Sequence, residues 1–455
     1  MNTRVSRGTP EPIAAIATPS GCGGIGVVRV SGGSLGPLIE VLLGKQLVPR
    51  KATYAKFRED TGNAIDQGVA LYFPAPHSYT GEDVLELQGH GGPAVMGRLL
   101  KRCLQLGCRI ARPGEFTERA FLNDKLDLAQ AESVADLIEA GSEEAARSAI
   151  RTLTGEFSRR VHQLTNALVG LRMHVEACID FPEEEIAPAD RAAQDSQLKD
   201  LRALHAALLL EARQGAVLRE GLTVVLIGRP NVGKSSLLNR LAGDELAIVT
   251  PIPGTTRDHV RATIHLEGVP IHLIDTAGLR DTDDMVEKIG IDRTWTAIGK
   301  AGAALLIAEA GEMAGRQEAE ILHRLPTALP MAWVYNKIDL YRPAGVSRET
   351  PRAGNHISLF VSALTGEGVD SLRAWLLETA GWRPDGEGVF LARARHLAAL
   401  AVVETHLIAA AARPTQYELF AEELRLAQLA LSSITGEFSS DDLLGEIFSR
   451  FCIGK

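Results

Sequence analysis

Apolar positions change their spacing three times along this chain. Between residues 13 and 120 they fall in short runs, such as 25–30 and 69–73, cut by the turn-forming stretches Ser20-Gly21-Cys22-Gly23-Gly24 and Gly89-His90-Gly91-Gly92-Pro93. Runs of that length between glycines and prolines read as strands, and helical spacing over 96–106 adds a helix, so this part is expected to be an α+β domain. From about Leu126, Ala, Leu, Glu and Arg recur at helical spacing with few breakers as far as Phe181-Pro182, and the spacing resumes at Leu198, Leu201, Leu204 and Leu208. These are long amphipathic helices. At Leu222 an apolar strand, a glycine loop and a helix open a strand–helix alternation, which predicts a mostly parallel sheet covered by helices. Beyond Trp382, the segment Arg383-Pro384-Asp385-Gly386-Glu387-Gly388 reads as a linker, and helical spacing returns through Leu397, Leu400, Leu407 and Leu424. Each helical stretch alone would expose an apolar stripe, so the two are expected to pack as one discontinuous domain with the α/β domain inserted between them. The expected divisions are 1–124, 125–220, 221–380 and 381–455.

Composition narrows the class. A chain of 455 residues, 45% of them hydrophobic, exceeds what a single core usually spans, so two or three domains are expected. The formal charge of −9 argues against a protein that coats nucleic acid through clustered Lys and Arg, while leaving room for a local basic patch. The five cysteines, Cys22, Cys103, Cys108, Cys178 and Cys452, form no CxxC pair and point to neither a disulfide framework nor a zinc knuckle. No stretch approaches the roughly 20 apolar residues of a membrane span, and the polar start lacks the apolar core of a secretory signal. A soluble, cytoplasmic protein with no membrane partner is expected.

The chemistry begins where the strand Val224-Val225-Leu226-Ile227 leads into Gly228-Arg229-Pro230-Asn231-Val232-Gly233-Lys234-Ser235, a G-x-x-x-x-G-K-S loop in strand–loop–helix context. Its backbone N–H groups, with those of Ser235 and Ser236 at the helix start, can surround a β-phosphate; Lys234 offsets charge on the β- and γ-oxygens; Ser235 is the expected Mg²⁺ ligand. Asp275-Thr276-Ala277-Gly278 follows the apolar strand 271–274 and places a carboxylate near the Mg²⁺ shell and a glycine N–H near the γ-phosphate. Upstream, the loop Thr250-Pro251-Ile252-Pro253-Gly254-Thr255-Thr256-Arg257-Asp258 offers a hydroxyl, Thr255 or Thr256, to the metal. Asn336-Lys337-Ile338-Asp339 follows the strand 332–335, and the Asp339 carboxylate can accept the N1–H and 2-amino group of guanine, a pairing that adenine cannot offer. Ser362-Ala363-Leu364 supplies the loop over the base. Four elements in this order specify a GTP-hydrolysing enzyme of the P-loop class.

How water is activated is less direct. The residue after Asp-Thr-Ala-Gly is Leu279, where many P-loop GTPases place a glutamine that orients the attacking water. Glu287, in the acidic stretch Arg280-Asp281-Thr282-Asp283-Asp284-Met285-Val286-Glu287, is the candidate to polarise that water; a solvated charge run at a helix start is the bland alternative. A monovalent cation held by Asn231 and carbonyls of the 250–255 loop could supply the charge an arginine finger gives elsewhere.

The block Gly114-Glu115-Phe116-Thr117-Glu118-Arg119-Ala120-Phe121-Leu122-Asn123-Asp124-Lys125-Leu126-Asp127-Leu128-Ala129-Gln130-Ala131-Glu132, the P-loop with Thr255-Thr256-Arg257-Asp258 and Asp275-Thr276-Ala277-Gly278-Leu279-Arg280, and the ending Phe451-Cys452-Ile453-Gly454-Lys455 resemble the MnmE (TrmE) family of tRNA-modification GTPases over essentially the whole chain. The resemblance implies a multidomain protein with an α+β folate-binding N-terminal domain, a discontinuous α-helical domain and an inserted Ras-like G domain. It implies a homodimer that works with the FAD-containing partner MnmG (GidA), in a heterotetramer or larger complex, to place an aminomethyl or carboxymethylaminomethyl group on C5 of the wobble uridine, position 34, of certain tRNAs. By the same resemblance the one-carbon donor is 5-formyl- or 5,10-methylene-tetrahydrofolate, and K⁺-dependent pairing of G domains activates hydrolysis. Asn231, Thr250, Ile252 and Thr255 would hold K⁺, Ser235 and Thr256 the Mg²⁺, and Glu287 would assist water attack. Arg29, Glu86, Lys125 and Lys455 are the folate positions: a carboxylate suits the pterin edge, and Arg and Lys suit the anionic tail. The loop Pro19-Ser20-Gly21-Cys22-Gly23-Gly24 departs from the family's pattern, which often has a second proline and an arginine. A ribosome-assembly or RNA-binding switch GTPase without covalent RNA chemistry is the alternative, disfavoured because the first 120 residues are glycine-rich rather than basic. A signalling GTPase that needs an external activator fits least.

Overall fold

The computed structural model describes residues 11–180, 188–229, 231–243, 260–275, 299–310, 322–341, 349–353, 356–383, 389–437, 441–449, 451 and 454. They group into two compact units. One comprises 1–135, 153–173 and 418–455; the other comprises 136–152 and 174–417.

The first unit is built on a six-stranded sheet of β1 (Ile13–Ile16), β2 (Gly23–Gly32), β3 (Thr53–Arg58), β4 (Ala64–Phe73), β5 (Asp83–Gly91) and β6 (Arg109–Ile110), in the order β3-β4-β5-β2-β1-β6. Period-two alternation decides its faces. Val28, Val30, Leu85 and Leu87 point to one side, where they are sealed under Leu42 of α1 (Gly36–Leu43) and Met96 and Leu99 of α2 (Pro93–Gln105). The β2–β5 register pairs Arg29 with Glu86, so both fall on the opposite face. The strands run longer than the apolar runs suggest, because glycines and polar residues at their ends still pair. Helix α3 (Glu115–Leu122), residues 128–135 of α4 (Leu128–Glu139) and α12 (Asp441–Ser449) close a second core of Phe121, Leu128, Ala131, Phe448 and Phe451.

Charge is buried in this unit as well. Glu115, only 2% exposed, accepts hydrogen bonds from Arg109 Nη1 and Nη2 at 2.9 and 2.6 Å, from Arg119 Nη2 at 3.1 Å and from the Arg112 N–H at 2.8 Å. Arg119 also reaches Glu82 at 2.8 Å. Burial alone would raise the Glu115 pKa, but the bonds from Arg109, the Arg112 N–H and Arg119 outweigh it and bring it down to about 2.

The second unit carries a seven-stranded mixed sheet of β7 (Leu222–Ile227), β8 (Val260–Leu266), β9 (Val269–Asp275), β10 (Ala303–Glu309), β11 (Met331–Asn336), β12 (Glu349–Ala353) and β13 (His356–Phe360), in the order β12-β13-β11-β10-β7-β9-β8. The five inner strands are parallel and the two edges antiparallel. Inner strands covered on both faces need continuous apolar sequence, which explains why Val224, Val225, Leu226 and Ile227 are all buried. The chain then turns into α8 (Lys234–Ala242), and α9 (Val369–Ala380) packs beside it. Flanking this α/β body in the same unit are α5 (Glu143–Leu153), α7 (Pro188–Glu220) and α10 (Ala394–Ala411). Two further helices, α6 (Glu156–Asp180) and α11 (Tyr417–Thr435), complete the described set. The expected break at Phe181-Pro182 lies outside the described residues.

One expectation is revised here. Among the described residues, α10 is long and apolar enough to cross a membrane, with mean hydropathy 1.2 over 18 residues. Leu400, Val403, Leu407 and Ala410 are nevertheless buried, α10 packs along α7, and His205 bonds the Leu400 carbonyl at 2.9 Å. That pattern is a helix with one face against a partner helix.

A carboxyl whose folded pKa lies below its unfolded value stabilises above the unfolded value, 4.5, and that stabilisation is lost as pH falls toward about 2. Glu115→Gln is therefore expected to cost about 2 kcal/mol at pH 7 and somewhat under half of that at pH 3. Melting temperatures of parent and variant at both pH values check this; an equal shift at both would contradict the charge argument.

Candidate active site

The nucleotide-binding loop forms where β7 ends and α8 begins. A buried strand that must turn sharply into a helix needs left-handed backbone, taken here by Asn231 at φ +66° and Gly233 at φ +92°. Gly233 admits no side chain: a Cβ there would lie 2.3 Å from Asn336 Nδ2. Lys234 folds over the loop and donates to the carbonyls of Gly228 (2.5 Å) and Arg229 (2.9 Å). Ser235 and Ser236 are exposed on the first turn of α8, where helix N–H groups concentrate positive potential, and Val232 is buried beneath. The parallel register of β7 and β9 sets Asp275 opposite Leu226, at the strand end from which this loop departs.

The base-recognition residues converge on the same loop. Asn336 ends β11 and is 1% exposed; its Nδ2 donates to the Val232 carbonyl at 2.9 Å, and its Oδ1 accepts from the Ala363 N–H at 3.0 Å. One amide thus ties the phosphate loop to the loop after β13. Lys337 adopts φ +63° and pairs with Glu309 at the end of β10. Asp339 accepts the Ser362 hydroxyl on Oδ1 at 2.5 Å, and Ser362 Oγ accepts the Thr365 N–H at 3.1 Å. The carboxylate is held by one oxygen, and Leu364, 74% exposed, stands beside it in sequence on the loop. Arg240 of α8 donates through Nε to the Ala363 carbonyl at 3.0 Å and through Nη2 to the Leu364 carbonyl. Neither Arg240 nor Glu309 is flagged by any local spacing in the sequence, because each acts on a segment far along the chain.

The structure therefore brings together Asn231, Val232, Gly233, Lys234, Ser235 and Ser236 with Asn336, Lys337, Asp339, Ser362, Ala363 and Leu364. The side chain of Asp275 and residues Thr250, Pro251, Ile252, Pro253, Gly254, Thr255, Thr256, Thr276, Ala277, Gly278 and Glu287 lie outside the described set. Of the K⁺ candidates only Asn231 is described, and of the Mg²⁺ candidates only Ser235. Among the described residues no cluster of His, Cys, Asp and Glu has the makings of a metal site.

A second polar cluster lies on the first unit's sheet. Arg29 donates through Nε (3.0 Å) and Nη2 (2.9 Å) to Glu86 Oε1, and Nη1 lies 3.5 Å from the Gly454 carbonyl. Its guanidinium sits 5.6 Å from the centre of the Tyr79 ring and 5.8 Å from that of Phe116, within cation–π range. The pair is about one-fifth exposed, which leaves the carboxylate edge open to solvent. Tyr79 hydrogen-bonds Thr117 at 2.8 Å, and burial raises its pKa. Lys125 does not join Arg29 and Glu86; its ammonium caps the Pro76 carbonyl at 3.1 Å. Cys22 is exposed, while Lys455 and Cys452 lie outside the described residues.

The family described as "MnmE helical domain" matches residues 128–452, and that described as "GTP-binding protein TrmE N-terminus" matches 12–125. A protein of Thiobacillus denitrificans named tRNA modification GTPase MnmE is 58% identical over 446 residues, covering 98% of each chain. Proteins of the same name from Nitrosomonas europaea and Chromobacterium violaceum are 59% and 58% identical, each covering 98% of this chain and 99% of the relative.

Asp339→Asn exchanges an acceptor for a donor at the base edge, so preference is expected to move from GTP to xanthosine triphosphate. Ser362→Ala removes the hydroxyl that holds the same carboxylate and is expected to weaken GTP binding by about fivefold to tenfold, with turnover at saturation little changed. Competition binding with the two nucleotides and steady-state kinetics read both effects; unchanged selectivity in Asp339→Asn removes that residue from base recognition.

Proposed function

The chain belongs to the MnmE family of tRNA modification GTPases, and from that premise we propose that it spends GTP hydrolysis on installing an aminomethyl or carboxymethylaminomethyl group at C5 of the wobble uridine, position 34, of certain tRNAs. The observation that carries the GTP half of the reading is the Asn336 amide, which fixes the phosphate loop and the base loop at one separation. The loop's residues suit a nucleotide and its metal: Lys234 supplies the cation, Ser235 an exposed hydroxyl, and the start of α8 the positive end of a helix. In this proposal Ser235 and Thr256 hold Mg²⁺, which would neutralise charge on the phosphate oxygens when bound. Lys234 leaves its loop carbonyls for the β- and γ-phosphates, and Asp275 and the Gly278 N–H line the far side. Glu287 takes the role of the missing glutamine and orients the attacking water. Asn231, Thr250, Ile252 and Thr255 would hold K⁺, and two G domains would pair through their switch regions in a homodimer.

The pair of Arg29 and Glu86 supports the folate half. A carboxylate edge beside aromatic rings suits the 2-amino and N3–H groups of a pterin, and the Gly454 carbonyl lies near the same guanidinium. We assign the 5-formyl- or 5,10-methylene-tetrahydrofolate donor to this cluster, with Lys125 and Lys455 facing its anionic tail. The FAD-containing partner MnmG would complete the chemistry in a heterotetramer or larger complex, in the cytoplasm. The divisions at 124, 220 and 380 are proposed as the boundaries of the folate, helical and G domains.

Mass spectrometry of nucleosides from bulk tRNA, in cells lacking the protein and after its return, tests the reading. Loss and rescue of a 5-aminomethyl-type wobble uridine is expected. Unchanged nucleosides would favour a switch GTPase without RNA chemistry. Glu86→Gln should abolish rescue and the binding of 5-formyl-tetrahydrofolate while leaving GTP turnover intact, and turnover should fall when Na⁺ replaces K⁺ at equal ionic strength. Equal rates in the two salts would remove the cation from the scheme.

A further inference from the structure

The chain enters the inserted α/β domain once, at the end of α7, and leaves it once, ahead of α10. Both crossings are held by one side chain. Asp136 of α4 is 8% exposed, and its Oδ1 accepts from Arg219 Nε at 2.9 Å and from Arg393 Nη2 at 2.7 Å, while Oδ2 lies 3.4 Å from Arg393 Nε. Arg219 lies three residues before β7, and Arg393 immediately precedes α10. A buried carboxylate shared between two guanidiniums fixes both, because releasing either removes half of the charge compensation around it.

Further contacts tie the same two crossings. Gln214 donates to the Gly381 carbonyl at 2.8 Å and accepts from the Arg383 N–H at 2.9 Å; Thr152 Oγ1 accepts from the Leu391 N–H at 2.9 Å. Gly221 passes so near the hairpin that a Cβ would sit 1.9 Å from the Pro270 carbonyl. The turn of the β8–β9 hairpin is also held, by Ser142 Oγ on the Gly268 carbonyl at 3.0 Å. In sequence, the two ends of that hairpin adjoin residues 250–258 and 276–278, the segments assigned above to the bound cations and the γ-phosphate. Beside the clamp lies a cavity of about 410 Å³ lined in part by Asp136, Arg219, Ser142, His265, His272 and Leu391. The junction thus has a fixed point with open space next to it.

We propose that Asp136 is the positioning residue that couples the GTP cycle to tRNA modification: by holding both chain crossings on one carboxylate, it makes a displacement of the β8–β9 hairpin turn the nucleotide-binding domain as a body against α5, α7 and α10. Asp136 is not among the residues assigned above to nucleotide or folate, so its removal is expected to separate the two activities. The proposal rests on the functional reading above for its second activity.

The test compares full-length parent, Asp136→Asn, Asp136→Glu and Arg219→Gln for GTP turnover, wobble-uridine modification per GTP hydrolysed, and energy transfer between dyes introduced by a non-cysteine chemistry at positions 370 and 402. Asp136→Asn is expected to keep GTP turnover within about twofold, to lose about tenfold or more in modification per GTP, and to broaden the dye-distance distribution. Asp136→Glu should recover part of the coupling, and Arg219→Gln, which removes only the entry strut, should fall between. If Asp136→Asn does not fold, Arg219→Gln decides by the same readouts. Modification and turnover falling together, or neither changing, would overturn the proposal. Should the parent itself hydrolyse GTP without modifying tRNA, the functional reading fails, and the dye distances alone then judge the clamp: a distribution as narrow in Asp136→Asn as in the parent refutes it.

Discussion

The side-chain amide of Asn336 is the interaction on which the nucleotide site depends. A phosphate loop and a base-recognition loop can cooperate only if their separation matches one nucleotide, and backbone loops far apart in sequence do not hold a separation by themselves. Asn336 spends both ends of its amide on this: Nδ2 on Val232 of one loop and Oδ1 on Ala363 of the other. Because it is buried, losing it would strand a carbonyl and an N–H as well as removing two bonds. The tight contact with Gly233, the grip of Arg240 on the Ala363 carbonyl and the bond from Ser362 to Asp339 all build outward from that link.

The same economy recurs elsewhere. Glu115 gathers Arg109, Arg119 and the Arg112 N–H in the first unit, and Asp136 gathers Arg219 and Arg393 in the second. In each case one carboxylate fixes segments that the chain itself leaves apart. Buried ions of this kind are costly to desolvate, and they hold geometry only while every partner stays in place. They therefore suit junctions whose arrangement matters more than the stability gained.

Much of this was legible in the sequence where the relevant residues are neighbours. The P-loop, Asn336-Lys337-Ile338-Asp339 and Ser362-Ala363-Leu364 are short runs whose chemistry follows from their own order, and the change from short apolar runs to helical spacing separated the sheet-bearing and helical regions. Contacts made by single residues across long stretches were not legible: nothing in the spacing joins Arg240 to Ala363, Glu309 to Lys337 or Asp136 to Arg393. Arg29 and Glu86 were named only through family resemblance, since their meeting depends on the β2–β5 register. Lys125, named with them, donates to the Pro76 carbonyl.

If one amide sets the spacing of the site, then Asn336→Ala should weaken GTP and GDP together, since both span the two loops. Calorimetric titration of the variant with each nucleotide is the direct measurement. The account predicts a loss of about 2 to 4 kcal/mol, roughly thirtyfold to a thousandfold in affinity, of similar size for both ligands. Affinities equal to those of the parent protein would contradict it.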